Sequence, residues 1–177
     1  MPAFTDRPPA LESVGAHAVE KGPNMVLDNI FQIAYVTRNI DTAMANFRAQ
    51  ADIRTEVYYE GEVPVKTPAG PAISHVKLAF MWVGDFQYEL IQPISGLEHI
   101  YNPALPEDDS LGFHHTCVRV DDWDSFRRDV EKQPYPIAFE GGNGPNYFLY
   151  LDARKTVGHY LEYAYLPDEI WKMSGGR

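Results

Sequence analysis

The sequence has little cysteine, few cationic residues and no long apolar run. Its single cysteine, Cys117, excludes an internal disulfide, and no charged stretch followed by an apolar one marks it for secretion. No segment approaches the roughly 18 consecutive apolar residues that a membrane-spanning helix requires. We therefore expect a soluble, cytoplasmic protein with no membrane partner.

Basic residues are scarce relative to acidic ones. Fifteen Lys and Arg oppose 25 Asp and Glu, which gives a formal net charge of -10 at pH 7. Such a charge repels phosphate backbones and argues against a nucleic-acid partner. Hydrophobic residues make up 45% of the 177 residues, enough for a sizeable core. The composition predicts one domain, or two small modules that share a core.

Strand and helix signals occur twice in the same order. In the first half, the predicted strands are residues 30–37, 53–59, 74–83 and 86–94, with a helix capped by Asn39 or Asp41 after the first strand and a loop rich in Pro and Gly after the second. In the second half, they are residues 113–120, 137–140, 147–151 and 159–166, with a helix capped by Asp122 or Asp124 that reaches about Gln133.

This repetition predicts an α+β fold in which two tandem βαβββ modules form a curved mixed sheet around a metal site. We assign the following ranges: an N-terminal arm (1–28), the first module (29–95), a connector (96–111), the second module (112–166) and a C-terminal tail (167–177) that adds a short helix.

Aligning the two halves places four polar residues at equivalent strand positions. His115 follows Gln32 by 83 positions, and Glu162 follows Glu89 by 73. The carboxylates lie among apolar neighbours, where an unpaired charge is costly to bury, so a cation is expected beside them. Imidazole, carboxylate and amide oxygen suit one divalent ion such as zinc, nickel, cobalt, manganese or ferrous iron. His114 is expected to face away from His115 because side chains alternate along a strand.

The segments that carry these residues resemble the vicinal oxygen chelate, or glyoxalase-like, superfamily. They are FQIAYVTRNID, FQYELIQP, GFHHTCVRVDD and GHYLEYAYL. The superfamily includes lactoylglutathione lyases, methylmalonyl-CoA epimerases, extradiol dioxygenases and resistance proteins for fosfomycin or bleomycin, and the epimerase and lyase branches are the most similar. The resemblance implies a homodimer and metal ligands at Gln32, Glu89, His115 and Glu162.

Departures from each branch narrow the chemistry. Extradiol dioxygenases carry a histidine ligand of ferrous iron where this chain has Gln32, which makes iron the less favoured metal. The glutathione-binding arginines of the lyases are replaced by Val36 and Leu111. The epimerases usually place His at the first ligand position and often Gln at the second, the reverse of the order here.

The ligand set predicts a metal-dependent lyase or isomerase, including an epimerase, that acts on a small carbonyl compound without an organic cofactor. Glu162 is the expected base, and Glu89 is expected to return the proton from the opposite side. His75 is interpreted as a satisfied histidine near the sheet edge. Tyr35, Tyr58, Phe80, Phe148 and Tyr150 are candidates for an aromatic wall of the substrate pocket, although packing in the core is the expected role at most of these positions. Two alternatives stay open: an extradiol-type dioxygenase, and a non-catalytic protein that binds an aromatic or drug-like ligand.

Overall fold

The computed structural model describes Leu27, residues 29–142 and residues 144–177. Apart from Leu27, the predicted N-terminal arm (1–28) lies outside the described residues. Within them the strands are β1 (Ile30–Val36), β2 (Ile53–Thr67), β3 (Gly70–Val83), β4 (Phe86–Ser95), β5 (Gly112–Arg119), β6 (Ile137–Gly142), β7 (Tyr147–Asp152) and β8 (Tyr160–Tyr165). The helices are α1 (Ile40–Gln50), α2 (Glu98–Tyr101), α3 (Trp123–Val130) and α4 (Asp168–Met173), and a 3-10 turn covers Asn102–Ala104.

The eight strands form a closed barrel in the order β1, β4, β3, β2, β6, β7, β8, β5. The pairs β1/β4 and β5/β8 are parallel, and the other neighbours are antiparallel. A strand, a helix and three more strands occur in each half of the chain. The predicted α+β fold of two βαβββ modules in a curved mixed sheet is therefore confirmed.

The two modules meet along β1 and β5, which pair antiparallel. Gln32 lies opposite Cys117, and Ala34 lies opposite His115. By the sequence offset of 83, Gln32 corresponds to His115 and Ala34 corresponds to Cys117. Gln32 therefore pairs with the counterpart of Ala34, and Ala34 pairs with the counterpart of Gln32. This symmetric register gives Gln32 and His115 equivalent places in the barrel, as the sequence offset predicted.

Asparagine and aspartate side chains cap the two outer helices at their first turns. Asn39 Oδ1 accepts a hydrogen bond of 3.0 Å from the Thr42 amide at the start of α1. Asp122 Oδ1 accepts one of 2.9 Å from the Ser125 amide at the start of α3. Each cap satisfies an amide that has no partner within its helix. Of the candidate caps, Asn39 and Asp122 are therefore the correct ones. Helix α3 ends at Val130, before the predicted end near Gln133.

The helices α1 and α3 cover the outer face of the barrel. Met44 of α1 is fully buried in a cluster with Ala79, Met81 and Leu90 of β3 and β4. Val130 of α3 packs in a second cluster on the β5, β7 and β8 side. The outward residues of these strands are therefore apolar, which is typical of strands buried on both faces.

The Pro- and Gly-rich segment that follows the predicted strand at residues 53–59 was wrongly predicted as a loop. It is largely strand, because β2 continues to Thr67 and β3 begins at Gly70, with Pro64 paired to Ile73. Proline is tolerated where a strand has no second partner. Along most of its length β2 has only β3 beside it, since β6 pairs with it at Val65 and Lys66 alone. The long β2–β3 hairpin reaches the second module through these two residues and closes the barrel.

The predicted connector contains α2, whose residues Ile100 and Tyr101 close one end of the barrel core. The predicted short helix of the tail is also present, as α4. Among the described residues, none of the helices is both long and apolar enough to cross a membrane.

Candidate metal centre

Three potential metal ligands meet inside the barrel. His115 Nε2 lies 2.8 Å from Glu162 Oε2 and 3.3 Å from Glu89 Oε2. One ligand atom from each residue falls within 4.8 Å of the other two. The exposed fractions are 0% for His115, 5% for Glu89 and 8% for Glu162. The structure thus brings both predicted catalytic glutamates and the predicted histidine ligand into one buried cluster.

Strand register explains how residues so distant in sequence come together. Ala34 of β1 pairs with Glu89 of β4 on one side and with His115 of β5 on the other. Cys117 of β5 pairs in turn with Glu162 of β8. These four neighbouring strands therefore present their inward side chains at one level of the barrel. The small Ala34 side chain leaves space between the two larger ligands beside it.

Gln32, the fourth predicted ligand, lines the same cavity as Glu89 and Glu162 and is 4% exposed. Its Nε2 donates a hydrogen bond of 2.6 Å to Gln87 Oε1. Within the described part of the chain, Gln32 Oε1 has no hydrogen-bond partner. A buried amide oxygen without a partner is costly, and metal ligation is one way to satisfy it. Gln87 was not predicted, although it lies two positions before Glu89 and so faces the same side of β4.

Two carboxyl groups share one imidazole in this cluster. Burial alone would lower the pKa of His115, but the carboxylates of Glu162 and Glu89 outweigh it and raise that pKa to about 9. Burial also raises the pKa of Glu89. A divalent cation would compensate both carboxylates, and the donor set of two carboxylates, one imidazole and one amide oxygen fits such an ion.

His114 also faces this cluster, so the prediction that it faces away from His115 is wrong. In the pairing of β5 with β1, His115 lies opposite Ala34 and Phe113 opposite Tyr35, which leaves His114 as an extra residue in a β-bulge. The bulge interrupts the alternation of side chains. His114 is 2% exposed, and its Nδ1 lies 2.9 Å from His115 Nδ1.

The contacts of His114 define the orientation of His115. Burial lowers the pKa of His114, so its ring is neutral. With His114 Nε2 donating to the Ile100 carbonyl oxygen at 3.3 Å, His114 Nδ1 accepts a hydrogen bond from His115 Nδ1. In the metal-free protein the protonated Nε2 of His115 donates to the carboxylates, and with a metal bound the same ring orientation would leave the lone pair of Nε2 for the ion.

A cavity of about 510 Å³ extends from Gln32, Glu89 and Glu162 into the barrel. Three residues of the predicted aromatic wall line it: Phe80, Phe148 and Tyr150. Tyr150 OH also lies 3.4 Å from His115 Nε2. The other two were wrongly placed in the wall, because Tyr35 packs on the outer cluster and Tyr58 is exposed beside Arg48.

The family-level comparison agrees with this geometry. Residues 31–150 match the model of the Glyoxalase/Bleomycin resistance protein/Dioxygenase superfamily, which covers more than half of the chain. The chain therefore belongs to this superfamily, as the sequence motifs predicted. No curated protein matches the sequence.

Solved structures share the fold at low sequence identity. Methylmalonyl-CoA epimerase from Mycobacterium tuberculosis is 13% identical with a TM-score of 0.56, over 84% of this chain and 97% of that one. A Streptomyces coelicolor methylmalonyl-CoA epimerase in complex with 2-nitronate-propionyl-CoA is 15% identical with a TM-score of 0.52, over 81% and 97%. A hypothetical protein from Bacillus halodurans C-125 is 16% identical with a TM-score of 0.55, over 79% and 95%.

Proposed function

We propose that this protein is a metal-dependent isomerase, epimerase or lyase that moves a proton next to the carbonyl group of a small substrate. The observation that carries the proposal is the buried cluster of Glu89, His115 and Glu162, with the unpartnered Gln32 Oε1 beside it in the same cavity. The fold shared with methylmalonyl-CoA epimerases supports a reaction of this class.

Gln32, Glu89, His115 and Glu162 would hold one divalent ion, which we propose to be zinc, nickel, cobalt or manganese. When bound, such an ion would polarise a carbonyl oxygen and stabilise the negative charge that develops there in the transition state. His114 would fix the His115 ring in the tautomer that leaves Nε2 free.

The two glutamates would remove and return the substrate proton. Glu162 comes from β8 of the second module and Glu89 from β4 of the first, and the two approach His115 Nε2 from separate strands. We assign Glu162 as the base that takes the proton from the carbon next to the carbonyl group, and Glu89 as the group that returns a proton from the other side. The surrounding apolar cavity would strengthen the electrostatic interactions of the site with the substrate.

The first test is elemental analysis of the dialysed, untagged protein and of the double variant Glu89→Gln/Glu162→Gln. We expect about one zinc, nickel, cobalt or manganese per chain in the wild type and none in the double variant. Glu62→Gln is a matched control, because Glu62 lies at the same cavity but is exposed and outside the cluster. This control should keep its metal.

The second test uses NMR to measure exchange with heavy water in a panel of small ketones and thioesters. The exchanging proton is the one on the carbon next to the carbonyl group. The proposal is supported if the wild type retains metal and catalyses the exchange, and the double variant does neither. Retained iron with cleavage of catechol rings would replace it with an extradiol-type dioxygenase. The wild type could instead contain no metal and bind an aromatic ligand tightly, with an affinity that Glu162→Gln leaves unchanged. That result would replace the proposed enzyme with a non-catalytic binding protein.

The homodimer and the cytoplasmic location stay predictions. Light scattering coupled to size-exclusion chromatography measures the mass in solution, and a mass near twice the chain mass of 20.1 kDa is the expected result.

A further inference from the structure

We infer that the cavity takes an uncharged aromatic carbonyl compound that bears a second oxygen, and that Ser74 holds this second oxygen. The inference rests on the proposed function for the carbonyl end of the substrate, at the Glu89, His115 and Glu162 cluster. It adds the chemical class of the rest of the molecule and a residue that selects it.

The charge of the cavity wall argues against an anionic substrate. The lining residues, all within the described part of the chain, include no Lys or Arg. Their charged members are Glu62, Glu89 and Glu162. A phosphate or carboxylate on the part of the substrate away from the proposed metal ion would therefore enter the apolar interior without a cationic partner, at a high desolvation cost.

The arginines around the end of the barrel that the tail covers are already engaged. Arg119 forms an ion pair of 2.7 Å with Asp168 and stacks over the Trp171 ring at 4.3 Å. Arg54 donates a hydrogen bond of 2.7 Å to the Gly175 carbonyl oxygen. Trp171 also lines the cavity, so both arginines contact the tail that covers it. Both arginines hold the tail against the barrel, and neither is among the described residues that line the cavity.

The wall favours flat, aromatic ligands. Phe139 and Tyr150 stack with ring centroids 4.2 Å apart, and Phe148 meets the Tyr150 ring edge-on at 6.0 Å. All three line the cavity. Aromatic rings prefer stacked or edge-to-face partners, and a cavity of about 510 Å³ has the size of a pocket for a drug-sized ligand. A substrate with one or two fused rings fits these surfaces.

Ser74 provides a polar group away from the cluster of Glu89, His115 and Glu162. It lies on β3, lines the cavity and is 1% exposed, yet within the described residues its Oγ has no hydrogen-bond partner. The nearby Tyr101 hydroxyl stays neutral, because burial raises its pKa. Ser74 lies close enough to oppose this rise in the pKa of Tyr101, but within the described residues no hydrogen bond joins the two hydroxyl groups. A hydroxyl or carbonyl oxygen of the substrate would satisfy Ser74 Oγ.

Ligand binding tests this inference without relying on turnover. Three probes share one ring system: an acetonaphthone, its hydroxylated derivative, and an acetylnaphthoate in which a carboxylate replaces the hydroxyl group. Binding is followed by quenching of tryptophan fluorescence, since Trp171 lines the cavity. The hydroxylated ketone should bind about fivefold to tenfold more tightly than the parent ketone, because it supplies the missing hydrogen bond. The acetylnaphthoate should bind at least about tenfold more weakly than the hydroxylated ketone. Acetyl-CoA should cause no quenching.

The variant Ser74→Ala isolates the second oxygen. It should bind the hydroxylated and parent ketones equally, while the affinity for the parent ketone stays at the wild-type value. Equal affinity of the wild type for both ketones, or binding of acetylnaphthoate or acetyl-CoA as tight as that of the hydroxylated ketone, would overturn the inference. The same titrations on Glu89→Gln/Glu162→Gln separate the two proposals: the preference for the hydroxyl group should survive there even if metal retention and proton exchange fail.

Discussion

His114 Nδ1 lies 2.9 Å from His115 Nδ1, although the two residues are neighbours on one strand. The bulge in β5 makes this contact possible, and the Ile100 carbonyl oxygen fixes the far side of the His114 ring. Groups that orient a metal-bound histidine in this way contribute strongly to metal affinity. His114 therefore acts as a positioning residue for the proposed ligand His115.

We predict that His114→Leu lowers the affinity for the native metal by about 10- to 100-fold without abolishing binding. His115→Ala, which removes a ligand, should abolish metal retention while the fold persists. Competition with a chelator of known affinity measures both effects. His99→Leu is the control, because His99 is exposed on α2. An affinity in His114→Leu equal to that of the control would remove His114 from the site.

Metal uptake should release a proton. The pKa of His115 is raised to about 9 in the metal-free protein, so this ring is protonated at neutral pH, whereas a ligating imidazole must be neutral. We expect release of about one proton per ion bound near neutral pH, with affinity that falls as the pH falls. Calorimetric titrations in buffers of different protonation enthalpy measure the number released. A value near zero would contradict the charge state assigned to the cluster.

The same pKa predicts how the stability of the metal-free protein depends on pH. Because the folded-state pKa of about 9 lies above the reference value of 6.5, the charged His115 stabilises the fold fully below about pH 6.5. This contribution is lost as the pH rises through about 9. Urea unfolding of the metal-free protein across this range measures it. In Glu162→Gln the alkaline loss should shrink, since the carboxylate of Glu162 is a main cause of the raised pKa.

Cys117 should be unreactive in the folded protein despite lining the cavity. Its side chain is 1% exposed, and burial raises the pKa of its thiol well above the usual range, while the nearby Glu162 carboxylate adds to the effect. The reactive thiolate is therefore almost absent. A thiol reagent should modify no cysteine in the native protein and one per chain in urea. Rapid modification of the native protein would show that the cavity opens far more than the structure indicates.

The repeat explains why the meeting of Glu89, His115 and Glu162 was predictable from the sequence. A duplicated βαβββ unit preserves strand order, so equivalent residues fall at equivalent levels whatever the lengths of the loops between them. The observed pairs of Ala34 with Glu89 and of Cys117 with Glu162 reproduce the offsets seen in the sequence. Matching polar residues in two copies of an apolar pattern are a strong signal, because each one alone would be costly to bury.

The remaining features depend on contacts that the local sequence does not encode. The β-bulge at His114 shifts the strand alternation by one residue and is defined by the partner strand β1. On β3, Ser74 shares its face with Ala72 and Val76, and His75 shares its face with Ile73 and Lys77, so apolar residues lie beside both positions. The pattern therefore did not reveal that Ser74, rather than His75, lines the cavity. Closure of the barrel through Val65 and Lys66 is likewise a long-range pairing.

The tail that covers the cavity should contribute to the stability of the whole fold. Trp171 of α4 is 6% exposed, and its ring centroid lies 4.8 Å from that of Phe31 and 5.4 Å from that of Trp82. Trp171→Ala removes this packing, and we expect the free energy of unfolding to fall by about 3 kcal/mol, the lower end of the usual cost for a buried tryptophan. Met173→Ala is the control in the same helix, because Met173 is 82% exposed and its loss should cost less than about 0.5 kcal/mol. Equilibrium urea unfolding measures both variants. Equal stability of the two would mean that α4 does not pack on the barrel in solution, whereas a large loss in Trp171→Ala alone establishes the tail as part of the fold that encloses the site.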